Sequence, residues 1–283
     1  MSDTAYKTQY KDEWIASYEQ NVSLLRSSTV TTEAVINGNQ ATFLIAGSGN
    51  ATASTRGING LIPARSDELS QKTATLVEAD DLVRRSHFNI FASQGDQKQI
   101  MQKTTLGTIN RKIDSQIITI LNTGTVAIGS ASLIPSPGLV QNAIVKLGNA
   151  SVPWDSHVTL LLQPSFLSFL EEAPEFSSAD YVSMGPYNGG DLSWRDKPMT
   201  YRWRNMLVLS HPNLPGKATA SEKSFMYHKC AIGHAANSEG LDATVGYDEE
   251  QDYSWARATM FMGGVLLQNT GIVVMTTDGT ARG

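Results

Sequence analysis

The chain has 283 residues, 41% of them hydrophobic, with mean hydropathy −0.21 and a formal net charge of −5. That suffices for one large core, or a core with a smaller lobe, and is too apolar for wholesale disorder. The mildly acidic balance excludes a general nucleic-acid binder, which needs a basic face.

Charged residues make up 17%, below the usual ~25%. This fits a surface covered by other copies of the chain, and fits an ordinary neutral domain equally well. One cysteine, Cys230, leaves no intrachain disulfide framework. Residues 1–20 lack the apolar segment of a signal peptide, and no run approaches the ~18 apolar residues of a membrane span. The nearest run, residues 263–275, is interrupted by Gln268, Asn269 and Gly271. The expectation is a protein made and folded in a cytoplasm, with no membrane association.

In chain order, Trp14, Ile15, Tyr18, Val22 and Leu25 recur at helical spacing in a polar surround. They read as a short amphipathic helix that needs something to pack on. Residues 30–35 and 40–46 are strand-like around Asn37-Gly38, a strong turn signal. Gly47-Ser48-Gly49-Asn50 and Gly57-Ile58-Asn59-Gly60 follow, and residues 69–77 look extended again. Residues 37–75 therefore read as a long β-excursion with a flexible tip, and loops of that length usually bind something.

Ile109, Ile113, Ile117, Ile120 and Leu121 form a helical stripe opposite Arg111, Lys112, Ser115, Gln116 and Thr119. Ser93 or Asp96 is a candidate cap, and Gly124 lies past the end. Roughly thirty residues of helix would span ~45 Å, longer than a compact domain is wide. Upstream, Asp80-Asp81 and Arg84-Arg85 stand four apart, which supports a helix start and also suits a clamp between subunits. Residues 137–147 and 165–172 read as helices, the first opened by Pro137 and closed by Gly148, the second stopped by Pro174. Residues 157–162, 201–210, 224–235, 255–267 and 272–277 read as strands. No solenoid repeat or heptad pattern appears.

Chemistry is sparse. The Gly47 cluster lacks the Gly-Lys-Ser/Thr of a phosphate loop and opens no helix. His228, Cys230 and His234 have no fourth ligand for zinc, so a small buried cysteine in a strand is the plainer reading. No Gly-x-Ser-x-Gly or His-Glu-x-x-His occurs. Glu239, Asp242, Asp248, Glu249, Glu250 and Asp252 cluster before Arg257; paired carboxylates can do acid–base work, but such a run is more often a solvated loop or docking patch. Its charge would repel DNA, so it is expected to face away from nucleic acid or to meet a neighbour's basic residues. Trp194, Arg195, Tyr201, Arg202, Trp203 and Arg204 can stack bases, although arginine out and tryptophan in is ordinary sheet packing. No metal and no cofactor is expected.

Four stretches, in this order, carry a resemblance. They are residues 77–81 with 114–121, then residues 157–170 (HVTLLLQPSFLSFL), residues 206–215 (MLVLSHPNLP), and residues 253–277 with Gly263-Gly264. Together the sequence resembles the major capsid proteins of tailed bacteriophages, which have the Hong Kong 97-type fold. The resemblance implies an α+β subunit with an N-arm (1–36), an extension loop (37–76), a peripheral domain bearing a long spine helix (77–128), an axial domain (129–240) and closing strands (241–283). It also implies a structural protein, not an enzyme, that self-assembles through pentamers and hexamers into the icosahedral head of a double-stranded DNA phage.

Further implied partners are a portal, a separate scaffolding protein, a decoration protein and non-specific contact with packaged DNA. The residues expected at subunit interfaces are Trp14 in the arm; Arg56, Ile58, Leu61 and Arg65 in the loop; Arg84 and Arg85; and Glu249 and Asp252. A shell of the encapsulin-like nanocompartment type is the alternative within the same fold. A hydrolase using Glu249 and Asp252 is the alternative from another class.

Overall fold

The structure, a computed structural model, describes residues 23–32, 38–48, 51–58, 60, 62, 64–65, 67–92, 97–177, 182–184, 200–236 and 242–282. The first half of the chain supplies β1 (Val30–Thr32), β2 (Gln40–Gly47), β3 (Glu68–Thr75), β4 (Val77–Ser86), α1 (His87–Ala92), α2 (Gln97–Leu121), β5 (Ala127–Gly129) and α3 (Pro137–Asn149). There follow β6 (Val158–Leu162), α4 (Pro164–Glu172), α5 (Pro174–Ser177), β7 (Val182–Met184), β8 (Thr200–Trp203) and β9 (Met206–Ser210). The chain closes with β10 (Glu222–His228), β11 (Ile232–Ala236), β12 (Asp242–Asp248), β13 (Tyr253–Leu266) and β14 (Ile272–Thr277).

Three sheets organise these elements. A seven-stranded sheet runs β5-β14-β10-β6-β9-β8-β7. A five-stranded sheet runs β1-β11-β13-β12, with β4 on the other side of β13. A two-stranded ribbon, β2-β3, stands apart. The seven-stranded sheet is covered on both faces, which is why all five residues of β6 are buried. Val158, Leu160 and Leu162 face α3 and α4, whereas Leu161, Phe225 and Tyr227 face the core beneath α2.

The isoleucine stripe does what its spacing predicts. Ile109, Ile113, Ile117 and Leu121 are buried, Ile120 is half-buried, and Lys112, Ser115 and Thr119 are exposed. The stripe packs against Ala258, Met260 and Met262, the inward-pointing residues of β13. α2 is 25 residues, about 37 Å, and Gly107 sits buried inside it without breaking it. The expected caps Ser93 and Asp96 lie outside the described residues.

α3 begins with Pro137 in its first turn, and α4 with Pro164, which has no N–H to leave unpaired there. Residues 201–210 are not one strand: Arg204 (φ 48°) and Asn205 (φ 63°) make a two-residue hairpin turn joining β8 to β9. Within β8, Tyr201 and Trp203 point inward onto Phe176, and Arg202 points out. Trp194 and Arg195 lie outside the described residues. Residues 224–235 also divide. A 3-10 turn at Lys229–Ala231 ends β10, and β11 then enters the other sheet.

The charged pairs at 80–81 and 84–85 do not open a helix. They lie on β4, which pairs antiparallel with β13 over ten residues. A spacing of four puts two residues on one face of a helix, and equally on one face of a strand. The ten-residue ladder decides for the strand. The strands flanking Asn37-Gly38 do not pair with each other either; β1 joins β11 and β2 joins β3.

Candidate assembly surface

The β2-β3 ribbon is anchored at its root. Ala41, Phe43 and Ala74 are buried against Ala235, with Val30, Leu76, Val265 and Leu267 around them. The Phe43 ring lies on Gly233, where an added Cβ would come 2.9 Å from the ring. The base of the excursion thus has its own small core within the chain.

Beyond the root the picture reverses. Leu44 (64%), Ile58 (107%), Ile62 (67%) and Leu69 (66%) are exposed, as is every described residue from 46 to 73. An isolated two-stranded ribbon is marginal in water, and four large apolar side chains on it and its connection make a contact surface that no described residue of the chain covers.

The expected interface residues fall in three places. Arg56, Ile58 and Arg65 are exposed on the excursion, where Arg65 pairs with its neighbour Asp67 at 2.6 Å. Arg84, Glu249 and Asp252 share one end of the five-stranded sheet. There the Arg84 guanidinium lies 5.0 Å over the Tyr253 ring, and the Tyr247 hydroxyl donates to Asp252 Oδ1 at 2.5 Å. Arg85 points to the opposite, helix-covered face and donates to Gln97 Oε1 at 2.5 Å. Trp14 and Leu61 lie outside the described residues.

Among the late carboxylates Asp248 serves a turn, and Glu239 lies outside the described residues. Asp248 Oδ1 accepts the N–H groups of Glu250 and Gln251, which closes the β12-β13 connection. Among the described residues, no three His, Cys, Asp or Glu side chains converge to hold a metal ion. Cys230 is exposed in a 3-10 turn rather than buried in a strand, and its N–H donates to His228 Nδ1. His228 Nε2 pairs with Asp155 at 3.1 Å.

One functional cluster escaped the sequence reading. Asp114 is 1% exposed, inside the apolar side of α2. Its carboxylate accepts the Ser23 hydroxyl at 2.6 Å and the Leu24 and Leu25 N–H groups at 3.0 and 3.2 Å. It thereby seats Leu25 in the main core and fixes where the preceding arm leaves the body. His211 Nδ1 accepts from the Asn213 N–H, and its Nε2 points at Asp114 at 3.5 Å. The available signal was an aspartate between Ile113 and Ile117.

Burial alone would raise the Asp114 pKa; the hydrogen bonds from His211, Ser23, Leu24 and Leu25 outweigh it and hold the carboxyl below its usual value. Nearby, His234 is fully buried, and neither ring nitrogen has a hydrogen-bond partner among the described residues. Burial, with Arg26 adding to it and Asp114 opposing, pushes it down to about 4.

A histidine with a depressed folded pKa leaves the unfolded chain holding more protons below pH 6.5. It therefore costs the fold nothing above that pH and destabilises it progressively as pH falls towards 4, by about 3 kcal/mol in all. Asp114 adds its own loss only below the ordinary carboxylate range. Urea unfolding of the unassembled subunit at pH 7 and pH 4.5 should show wild type losing about 2–3 kcal/mol more than His234→Gln. Parallel losses would remove His234 from the account.

An extended ribbon with exposed apolar residues, a long helix across a five-stranded sheet and a second sheet whose central strands are buried on both faces define a shell-forming subunit of the Hong Kong 97-type fold. Residues 2–278 match the sequence profile of a family described as phage capsid protein, and the chain belongs to that family. It is a major capsid protein of the phage head, a structural component of the virion.

Solved structures agree on the fold. The capsid of Ralstonia phage GP4 matches with a TM-score of 0.70 at 10% identity, over 99% of this chain and 97% of that one. Mycobacterium phage Che8 matches with a TM-score of 0.66 at 14% identity, over 97% and 98%. The capsid of a native GTA particle matches with a TM-score of 0.65 at 14% identity, over 96% and 95%. No curated protein sequence matches the chain. No described helix is long and apolar enough to cross a membrane.

Proposed function

We infer that the chain assembles through pentamers and hexamers into an icosahedral shell around double-stranded DNA, each excursion lying over an adjacent copy. The observation that carries this reading is the contrast along one ribbon. Ala41, Phe43 and Ala74 are buried at its root, and Leu44, Ile58, Ile62 and Leu69 are exposed beyond it. Ordering that outer part costs entropy that contacts within its own chain do not offset.

In this reading the peripheral domain is the five-stranded sheet with α2. The axial domain, which meets its neighbours at the vertices, is the seven-stranded sheet with α3, α4 and α5. Arg56, Ile58, Arg65, Arg84, Glu249 and Asp252 are contact residues between copies, joined by Trp14 and Leu61. Portal, a separate scaffolding protein, a decoration protein and packaged DNA are the further partners. The chain acts as a structural subunit and not as a catalyst.

Electron microscopy of the purified full-length chain tests the reading. Closed shells are the expected result. A monodisperse particle of single-chain mass at every concentration would overturn it.

A further inference from the structure

β4 is a ten-residue edge strand that carries charges of both signs but no proline, glycine or bulge. It pairs with β13 along one side, and among the described residues no strand pairs with the other. A row of unpaired N–H and C=O groups is a template for another strand, which proteins discourage with a proline, a bulge or charged side chains, so only a strand of matching charge is admitted to a charged edge. Five of the ten residues of β4 are charged, and near its centre lie two apolar ones, Leu82-Val83, with Leu82 44% exposed.

Charges of opposite sign stand on either side of that centre. Asp80-Asp81 precede it and Arg84-Arg85 follow it. This arrangement complements itself when the strand is turned end for end. Directly opposed residues of an antiparallel pair share a face, so a two-fold axis through two identical strands must fall on a residue.

With the axis on Leu82, Asp80 stands opposite the partner's Arg84, twice, and no like charges oppose. With the axis on Val83, Asp81 would face the partner's Arg85. Arg85 is already held by Gln97 on the covered face. On the open face, Arg84 meets the Tyr253 ring and, among the described residues, no carboxylate. Among the described residues Asp80 accepts the Thr259 hydroxyl alone, at 2.6 Å. The first register uses charges that the subunit leaves available.

We propose that the free edge of β4 is a two-fold seam, where a second copy of this chain adds its own β4 antiparallel with Leu82 on the axis. The proposal rests on the chain being a shell subunit. The seam joins the two five-stranded sheets into one, with Asp80 and Arg84 setting its register and its preference for self.

Charge exchange in assembled particles is the test. Arg84→Asp and Asp80→Arg each place like charges opposite one another and should lower particle yield about ten-fold or more. The double variant Asp80→Arg/Arg84→Asp restores complementarity and should return most of the yield. In a Cys230→Ser background, Leu82→Cys should form a covalent dimer on oxidation, because Cα atoms opposed at the axis stand ~4.5–5.5 Å apart. Arg84→Cys, off the axis, should not.

A double variant no better than either single one, or Leu82→Cys chains that stay monomeric in oxidised particles, would overturn the seam. So would cross-linking of Leu82→Cys to a cysteine placed in residues 48–67, which would give the edge to a neighbour's excursion instead. Wild-type chain that makes no shells would sink the shell reading itself, and the seam with it.

Discussion

Replacing residues 48–67 with an Asn-Gly turn should leave a subunit that melts within about 2 °C of the parent and makes no stable shell. The replacement spares the β2-β3 ladder, which ends at Gly47 and Glu68, and spares the root formed by Ala41, Phe43 and Ala74. Every described residue it removes is exposed, so the folded monomer loses almost no packing. Asn-Gly suits a two-residue connection between antiparallel strands. What goes is Ile58 and Ile62, each worth about 1.5–3 kcal/mol if buried on a neighbour. That loss recurs at every copy. Sedimentation and calorimetry on the same preparation check both halves of the statement. Normal shells from the shortened chain would show that the outer excursion contributes nothing to assembly.

Ile117→Asp acts on the other side of the account, the fold of the subunit. Ile117 is completely buried in the core that α2 shares with β13 and the seven-stranded sheet. The change deletes a large apolar side chain, which costs about 2–5 kcal/mol through the lost contacts and the cavity. It also buries a carboxylate with no partner, which costs several more. A typical domain has about 5–15 kcal/mol in total, so the variant should not fold. Thr119→Asp, on the exposed face of the same helix, should change stability by about 0.5 kcal/mol or less. Circular dichroism of the two proteins separates these outcomes. Similar melting of both would mean the stripe does not face the core.

The stripe on α2 was legible because a 3.6-residue period over four turns has one cheap solution, burial of one side. The helix at Pro137 was legible for a local reason too, since proline fixes the first turn, and the helix over residues 165–172 because Pro174 ends it. What misled was chemistry that two structures share. Asp80, Asp81, Arg84 and Arg85 suit a helix face and a strand face alike, and the partner that decides lies some 170 residues away at β13. Residues 201–210 read as one strand because Arg204 looks like an outward-facing strand residue; only a positive φ at Arg204 and Asn205 reveals the turn. The break at Lys229–Ala231 carries no glycine or proline, so nothing local announces that β10 and β11 belong to different sheets.

The same limit applies to the assembly surface. Ile58 and Arg56 were visible as exposed because a loop rich in Gly, Ser, Thr and Asn cannot bury them. Asp114 was not singled out, since a carboxylate in an apolar stripe makes sense only once the Leu24 and Leu25 amides arrive from 90 residues upstream. Its role as an anchor is tertiary information.

Hydrogen exchange of residues 48–67, compared between unassembled subunits and purified shells, tests the central claim most directly. In the free subunit these amides should exchange within seconds, as exposed backbone does. In the shell they should become protected, together with the outer ends of β2 and β3. Equal, rapid exchange in both states would contradict the claim that the excursion is completed by an adjacent copy.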